Sequence, residues 1–247
     1  MIASPGRDPH ATWQPSPNID GRNGVRPSLV ILHYTGMPTA DGALAWLCDP
    51  RSKVSSHYFV FEDGRIVQSV DEAERAWHAG VSGWHALRDL NAASIGIEIA
   101  NPGHDHGYVP FPDVQIDAVE ALVGRIMARW DIPGRNVLGH SDVAPGRKID
   151  PGERFPWARF AEVGIGAFVP PAPLEDGPSL GPGDAGETVA RVQRGLAGIG
   201  YVLEETGRYD DRTETVVAAF QRHHRPALID GRADISTLDT LDRLLRA

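Results

Sequence analysis

The sequence predicts an α/β domain with a central mixed β-sheet flanked by helices, followed by a small C-terminal domain of three helices. In the first two thirds of the chain, short apolar runs that indicate strands alternate with helical patterns. A stretch rich in Pro and Gly then interrupts the chain, and only amphipathic helical patterns follow it. We therefore divide the chain into a first domain (1–163), a linker (164–179) and a helical domain (180–247).

Individual elements follow from local patterns. The apolar run 29–33 (LVILH) predicts a buried strand that ends in a histidine. An Asp-Gly pair between the β-rich runs 57–60 and 65–70 predicts a hairpin, and the alternation in 94–100 (SIGIEIA) predicts another strand. Residues 1–27 are polar and rich in Pro and Gly, so we expect them to be irregular. Helical spacing predicts helices at 40–48, 113–130, 156–163, 187–199, 211–223 and 234–245.

Composition and charge exclude several classes of protein. The formal net charge of the 247 residues is -9, and an acidic surface repels phosphate backbones, so we expect no nucleic-acid partner. No apolar run approaches the length of a membrane span. The single cysteine, Cys48, cannot form an intramolecular disulfide. We expect a monomer.

The N-terminal sequence bears on location. It reads MIASPGRDPHATW and lacks a positively charged start followed by an apolar stretch. We therefore expect no signal peptide and a cytoplasmic location.

Two histidines and an aspartate stand where a metal site is conceivable. His33 ends the first predicted strand, while His140 and Asp150 belong to one loop rich in Gly and Pro. A lone histidine is more often a surface or core residue than a ligand, and no short HExxH signature is present. Two imidazoles and one carboxylate nevertheless suit a catalytic zinc ion with an open fourth position for water. From the residues alone, the metal site stays a hypothesis.

A carboxylate and an ammonium group complete the candidate chemistry. Glu98 lies in the middle of an apolar strand, where a charged residue is rare without a partner. It could accept a proton from water, or it could face solvent on a half-exposed strand. Lys148 precedes Asp150 by two residues, so both side chains point to one side of an extended segment. A cation there could hold a developing oxyanion.

Five segments, in order, carry a resemblance to a known family. Together they resemble the AmpD/AmiD-type N-acetylmuramoyl-L-alanine amidases, which are related to phage lysozyme-type amidases and to animal peptidoglycan recognition proteins. The resemblance covers about residues 26–160 and implies a zinc enzyme that hydrolyses the amide bond between N-acetylmuramic acid and L-alanine. The segments are VILHYTG (30–36), SSHYFV (55–60), AWHAG (76–80), NAASIGIEIANPG (91–103) and GHSDVAPGRKIDPG (139–152).

The resemblance also implies roles at matching positions. His33, His140 and Asp150 match the ligands of one zinc ion per chain. Glu98 matches the glutamate that activates water, and Lys148 matches the lysine that stabilises the oxyanion. Phage-type relatives have Cys as the third ligand, so Asp150 places this chain on the AmpD/AmiD side.

Three further residues stand in family segments near the substrate cleft. Tyr34, Trp77 and His78 are expected to bind substrate. The alternative for Trp77 and His78 is a packing aromatic and a hydrogen-bonded histidine. His57 stands in a similar segment and is not assigned as a ligand.

The C-terminal part resembles a second family, the three-helix peptidoglycan-binding domain attached to many wall hydrolases. The resemblance rests on Gln193 in a V-x-x-Q-x-x-L context and on the pair Phe220-Gln221. The alternative is a three-helix bundle of unknown purpose. A wall-binding tail favours the periplasm or cell envelope as an alternative location. Because the metal set precedes the linker, we expect deletion of 180–247 to leave hydrolysis of small soluble muropeptides nearly unchanged.

Two rival functions remain at this point. A peptidoglycan receptor on the same fold would typically lack part of the metal set, whereas this chain keeps all of it. A structural zinc protein would need a fourth Cys or His. The substrate is expected to be peptidoglycan or muropeptides, in cell-wall turnover or recycling, and polymeric wall, soluble fragments and 1,6-anhydro muropeptides all remain open.

Overall fold

The structure, a computed structural model, describes residues 6–247 and contains two compact units. The first unit comprises 6–81 and Asp89–Leu138, and the second comprises Ser82–Arg88 and Gly139–Ala247. Residues 1–5, the first part of the segment expected to be irregular, lie outside the described residues. The division at the linker 164–179 stays a prediction, and the second unit holds 139–163 together with the C-terminal helices.

A mixed six-stranded sheet organises the first unit. The strands of the chain are β1 (Thr12–Trp13), β2 (Ile19–Gly21), β3 (Leu29–Tyr34), β4 (Tyr58–Val60), β5 (Ile66–Gln68), β6 (Glu74–Ala76), β7 (Ser94–Ile99) and β8 (Val137–Gly139). The order in the sheet is β1-β5-β4-β7-β3-β8. Strand β7 pairs in parallel with both β3 and β4, and β4 pairs antiparallel with β5. The predicted mixed sheet and hairpin are therefore confirmed.

The central strands explain their own sequence pattern. The first five residues of β3 are buried, and so are five of the six residues of β7. A strand covered on both faces has no polar face to alternate with, so it reads as a continuous apolar run. The histidine that ends the run of β3 is buried as well, with 1% of its surface exposed.

Three helices belong to the first unit: α1 (Ala40–Leu47), α2 (Leu90–Ala93) and α3 (Asp113–Trp130). Helix α3 follows the predicted bounds and buries one apolar face at helical spacing. The buried apolar residues of that face are Ile116, Val119, Leu122, Val123 and Ile126. The α3 face therefore supplies part of the core of the first unit.

The N-terminal segment is less irregular than its composition suggests. Strand β1 adds to the sheet beside β5, and β2 forms a separate two-stranded sheet with β6. The prediction of an irregular 1–27 is thus wrong where these strands lie. Their side chains are exposed, and backbone pairing with distant strands holds them in place, so no apolar alternation marks them in the sequence.

The second unit is helical. It contains α4 (His140–Val143), α5 (Trp157–Glu162), α6 (Glu187–Ile199), α7 (Asp211–His224) and α8 (Ile235–Leu244). The three predicted C-terminal helices are confirmed. Two buried glutamines tie the turns between them: Oε1 of Gln193 accepts hydrogen bonds from the N–H groups of Thr206 and Gly207, and Oε1 of Gln221 accepts from those of Asp230 and Gly231.

Among residues 6–247, no helix combines the length and the apolarity that a membrane crossing requires.

A buried carboxylate links the strands of the first unit to α3. Glu72 is fully buried and accepts hydrogen bonds from Oη of Tyr58 at 2.6 Å, from Nε1 of Trp130 at 2.5 Å and from the guanidinium of Arg129. Burying a carboxylate is unfavourable unless it is paired, and these three donors compensate it.

We expect Glu72→Ala to lower the free energy of unfolding by about 3 kcal/mol, because it leaves buried donors unpaired. Urea denaturation of the two proteins measures the change. Glu62→Ala removes an exposed carboxylate from a turn and should change stability by less than about 0.5 kcal/mol. A Glu72 variant as stable as the Glu62 variant would contradict the importance of this cluster.

Candidate active site

Pairing of β3 with β7 places a histidine beside a glutamate. His33 and Glu98 are register partners in two parallel strands. Register partners in neighbouring strands point to the same face of a sheet. Both side chains therefore stand on one face, next to each other. The alternative, a Glu98 that faces solvent on a half-exposed strand, stays open, because Glu98 is partly exposed while the other five residues of β7 are buried.

His78 holds the ring of His33. Nδ1 of His78 lies 3.0 Å from Nε2 of His33, so one of the two rings carries the proton between them. The oxygen of Ser94 lies 3.3 Å from Nε2 of His78, and the side chain of Asn91 accepts a hydrogen bond from the His78 N–H. Contacts of this kind fix the orientation of histidines that bind metals.

Gly96 makes room for His78. A Cβ at Gly96 would lie 2.4 Å from Cγ of the His78 ring, closer than such atoms approach in proteins. Gly96 and Glu98 are two residues apart in β7 and so face the same side of the sheet. His57 instead accepts a hydrogen bond from the N–H of Gly96, and burial lowers its pKa well below the usual value, so its role is structural.

His140 and Asp150 come together at the two ends of one loop. His140 opens α4, and Nδ1 of its ring lies 3.0 Å from Oδ2 of Asp150. The N–H of Ser141 donates to the carbonyl of Asp150 at 2.8 Å. On the other side of the ring, the guanidinium of Arg147 lies 3.3 Å from Nε2. The Gly- and Pro-rich loop that the sequence predicts extends over 133–152. In the structure, part of this segment forms β8 and α4.

Three buried side chains form a candidate metal centre: His33, His140 and Asp150. Each offers one ligand atom, and these atoms all lie within 4.8 Å of one another. Imidazole nitrogens and a carboxylate oxygen are the donors zinc prefers, and three protein ligands leave a fourth position for water. The donor set therefore fits a catalytic zinc ion.

The remaining predicted residues lie on flanking segments. Lys148 is half-buried two residues before Asp150. Tyr34 ends β3, and its Oη lies 3.0 Å from Nδ1 of His104. Trp77 is half-buried, and its backbone N–H donates to Oγ of Ser55. Its indole Nε1 is buried and has no hydrogen-bond partner among residues 6–247.

Comparison with known proteins identifies both parts of the chain. Residues 23–153 match the model of the N-acetylmuramoyl-L-alanine amidase family, and residues 185–241 match that of a putative peptidoglycan binding domain. The chain belongs to the N-acetylmuramoyl-L-alanine amidase family.

Individual amidases are similar over most of the chain. The Escherichia coli K12 amidase AmiD is 39% identical over 236 residues, which cover 89% of this chain and 83% of AmiD. The 1,6-anhydro-N-acetylmuramyl-L-alanine amidase AmpD of Citrobacter freundii is 34% identical, over 65% of this chain and 93% of AmpD. The structure of E. coli AmiD with anhydro-N-acetylmuramic acid-L-Ala-D-gamma-Glu-L-Lys aligns with a TM-score of 0.76 and 35% identity, covering 93% of this chain and 97% of that one.

The structure also reveals residues of this amidase that the sequence did not single out. Asp142 lies two residues after His140, is 1% exposed, and accepts hydrogen bonds from Tyr201 and His223. Arg147 contacts the ring of His140. Both residues lie in segment 139–152, which also contains His140 and Asp150. Their contacts are visible only in the folded structure.

We expect Asp150→Ala to lose its bound metal, because two imidazoles alone bind zinc weakly and leave its charge uncompensated. Elemental analysis after dialysis against trace zinc measures the stoichiometry. Asp105→Ala, which removes an exposed carboxylate of a 3₁₀ turn, should keep the wild-type content. Stoichiometric zinc in the Asp150 variant would remove this residue from the ligand set.

Proposed function

We propose that this chain hydrolyses the amide bond between N-acetylmuramic acid, or its anhydro form, and L-alanine in a zinc-dependent reaction. The observation that carries the proposal is the group of three buried donors, His33, His140 and Asp150, in a chain of the amidase family. A zinc ion held by them would supply a polarised, acidified water at neutral pH.

Two side chains complete the reaction. Glu98 takes a proton from the attacking water while the water oxygen bonds to the carbonyl carbon. Lys148 stabilises the negative charge that develops on the carbonyl oxygen. Glu98 then passes the proton to the leaving nitrogen, the C–N bond breaks, and the products are a free L-alanyl amine and the muramic-acid carboxyl group, which loses its remaining proton to water. The pairing of His33 with Glu98 in register supports this assignment of the base.

The substrates of the relatives guide the choice of substrate. AmiD was captured with an anhydro-muropeptide, and AmpD is named for the 1,6-anhydro form. We propose muropeptides, including anhydro-muropeptides, as substrates in cell-wall turnover or recycling. Tyr34 and Trp77 are proposed to bind them, and the place of both residues in segments that resemble the amidase family supports this. For His78, its contact with His33 supports a positioning role, and direct substrate contact stays a prediction.

The C-terminal part is proposed to bind the wall, supported by the match of residues 185–241 to the peptidoglycan binding domain model. The cytoplasmic location, its alternative in the envelope, and the monomeric state remain predictions. Cell fractionation and light scattering measure them.

We expect Glu98→Gln to lower kcat on a soluble anhydro-muropeptide by about 10² to 10⁴, because the amide keeps the size of the side chain but cannot accept the proton. Amine release and zinc content are measured on one preparation, with Glu62→Gln as an exposed control. Zinc content should stay at the wild-type level. Near-normal turnover would remove Glu98 from the mechanism, and loss of zinc would make it a ligand. A wild-type chain that binds zinc and releases no amine would overturn the proposed function.

We expect residues 164–247 fused to a fluorescent carrier to sediment with purified sacculi, while the carrier alone stays in solution. Circular dichroism of the fusion first establishes that the three helices form. Chitin, which lacks the peptide stems, serves as the control polymer. A folded fusion that does not sediment with sacculi would leave a helical bundle without a wall-binding role.

A further inference from the structure

The segment that carries two of the candidate metal donors has little support of its own. Helix α4, which begins at His140, is four residues long, and an isolated helix of that length is unstable. The loop from Ala144 to Asp150 contains one Pro and one Gly and forms no helix or named strand. Backbone hydrogen bonds close the segment on itself, from the N–H of Ser141 to the carbonyl of Asp150 and from the N–H of Lys148 to the carbonyl of Ala144. Further support comes from residues outside it.

One buried carboxylate provides part of that support. Oδ2 of Asp142 accepts hydrogen bonds from the N–H of Gly139 at 2.8 Å, which fixes the start of α4, and from Nδ1 of His223 at 2.8 Å. Oδ1 accepts from Oη of Tyr201, also at 2.8 Å. Two of the three donors belong to the C-terminal helical part of the chain.

Both donors are packed in place by aromatic rings. The ring of His223 is stacked between Trp157, at 3.8 Å between centroids, and His224, at 4.0 Å. The ring of Tyr201 packs edge-on against Trp84 at 5.1 Å. Neither side chain can turn away from Asp142 without disrupting these contacts.

The rest of the loop also contacts the C-terminal helices. The guanidinium of Arg212 lies 3.3 Å from the carbonyl oxygen of Pro145, and a Cβ at Gly146 would lie 2.6 Å from the methyl group of Thr215. Gly146 has a φ of +81°, a conformation that favours glycine. Helix α7 therefore contacts the loop at several points.

We infer that Asp142, held by Tyr201 and His223, is a positioning residue that sets the geometry of His140 and Asp150, so that the C-terminal helices support the metal centre as well as any wall binding. This inference rests on the proposed function. It reverses the sequence-based expectation that the tail is dispensable for soluble substrates, since deletion of 180–247 removes both side-chain donors to Asp142.

The test compares two full-length variants with a matched control. Tyr201→Phe and His223→Phe each remove one donor to Asp142 while keeping an aromatic ring. Tyr209→Phe removes the hydroxyl of an equally buried tyrosine in the same helical part, which donates instead to the carbonyl of Gly231 at 2.6 Å. The probe is zinc alone, competed with a chromogenic chelator well below the unfolding temperature of every variant.

Loss of either donor should weaken zinc affinity about tenfold, the lower end of the effect of residues that orient metal ligands. The zinc affinity of Tyr209→Phe should stay within about twofold of wild type, even if its unfolding temperature falls as far as those of the two test variants. Wild-type affinity in both test variants, or an equal loss in Tyr209→Phe, would overturn the inference. The zinc assay contains no substrate, so its result is independent of the amine-release assay. A wild type that binds zinc but releases no amine in the second assay overturns the proposed function alone. A wild type that binds no zinc overturns both.

Discussion

The register of β3 with β7 is the constraint on which the chemistry of the first unit depends. It places His33 beside Glu98 on one face of the sheet, and the buried apolar residues before each of them lock that register. A slip of one residue in either strand would turn the side chains of that strand to the opposite face and would separate His33 from Glu98. A slip of β7 would also bring a residue with a Cβ to the position of Gly96, where the ring of His78 leaves no room. The candidate metal donor His33, its neighbour His78 and the proposed base Glu98 are thus set by one pairing.

The sequence predicted elements well where a local pattern decides the structure. The apolar run at 29–33, the Asp-Gly hairpin and the amphipathic spacing of α3 each express burial of one or both faces, and the observed bounds follow them closely. Strands β1 and β2 left no such pattern, because exposed residues there pair through their backbones with strands far along the chain. The sequence predicts a loop where the short α4 forms, because Gly and Pro flank a helix of only four residues.

Some residues of the candidate site could also be predicted from the sequence, and others could not. The residues alone left a zinc site open, and the resemblance to a family supplied His33, His140 and Asp150 as a set, which the structure brings together. The partners of Asp142 could not be inferred, because they lie 59 and 81 residues away in the sequence. Contacts at such separations depend on how helices pack, and neither residue type nor spacing encodes them. The contact of His78 with His33 could not be inferred for the same reason, since the two residues are 45 positions apart in the sequence.

The two kinds of support for the metal donors have different physical consequences. A donor on a strand buried between two others inherits the rigidity of a sheet, whose distortion would break many hydrogen bonds at once. A donor on a four-residue helix or on the loop after it depends on a few backbone hydrogen bonds and on the side chains that touch that loop. Small changes in those side chains can therefore alter the geometry of the second kind of donor while the fold remains intact. On our inference, stability and metal affinity can be separated at Asp142, Tyr201 and His223, because these residues hold the loop and are not among the candidate metal ligands.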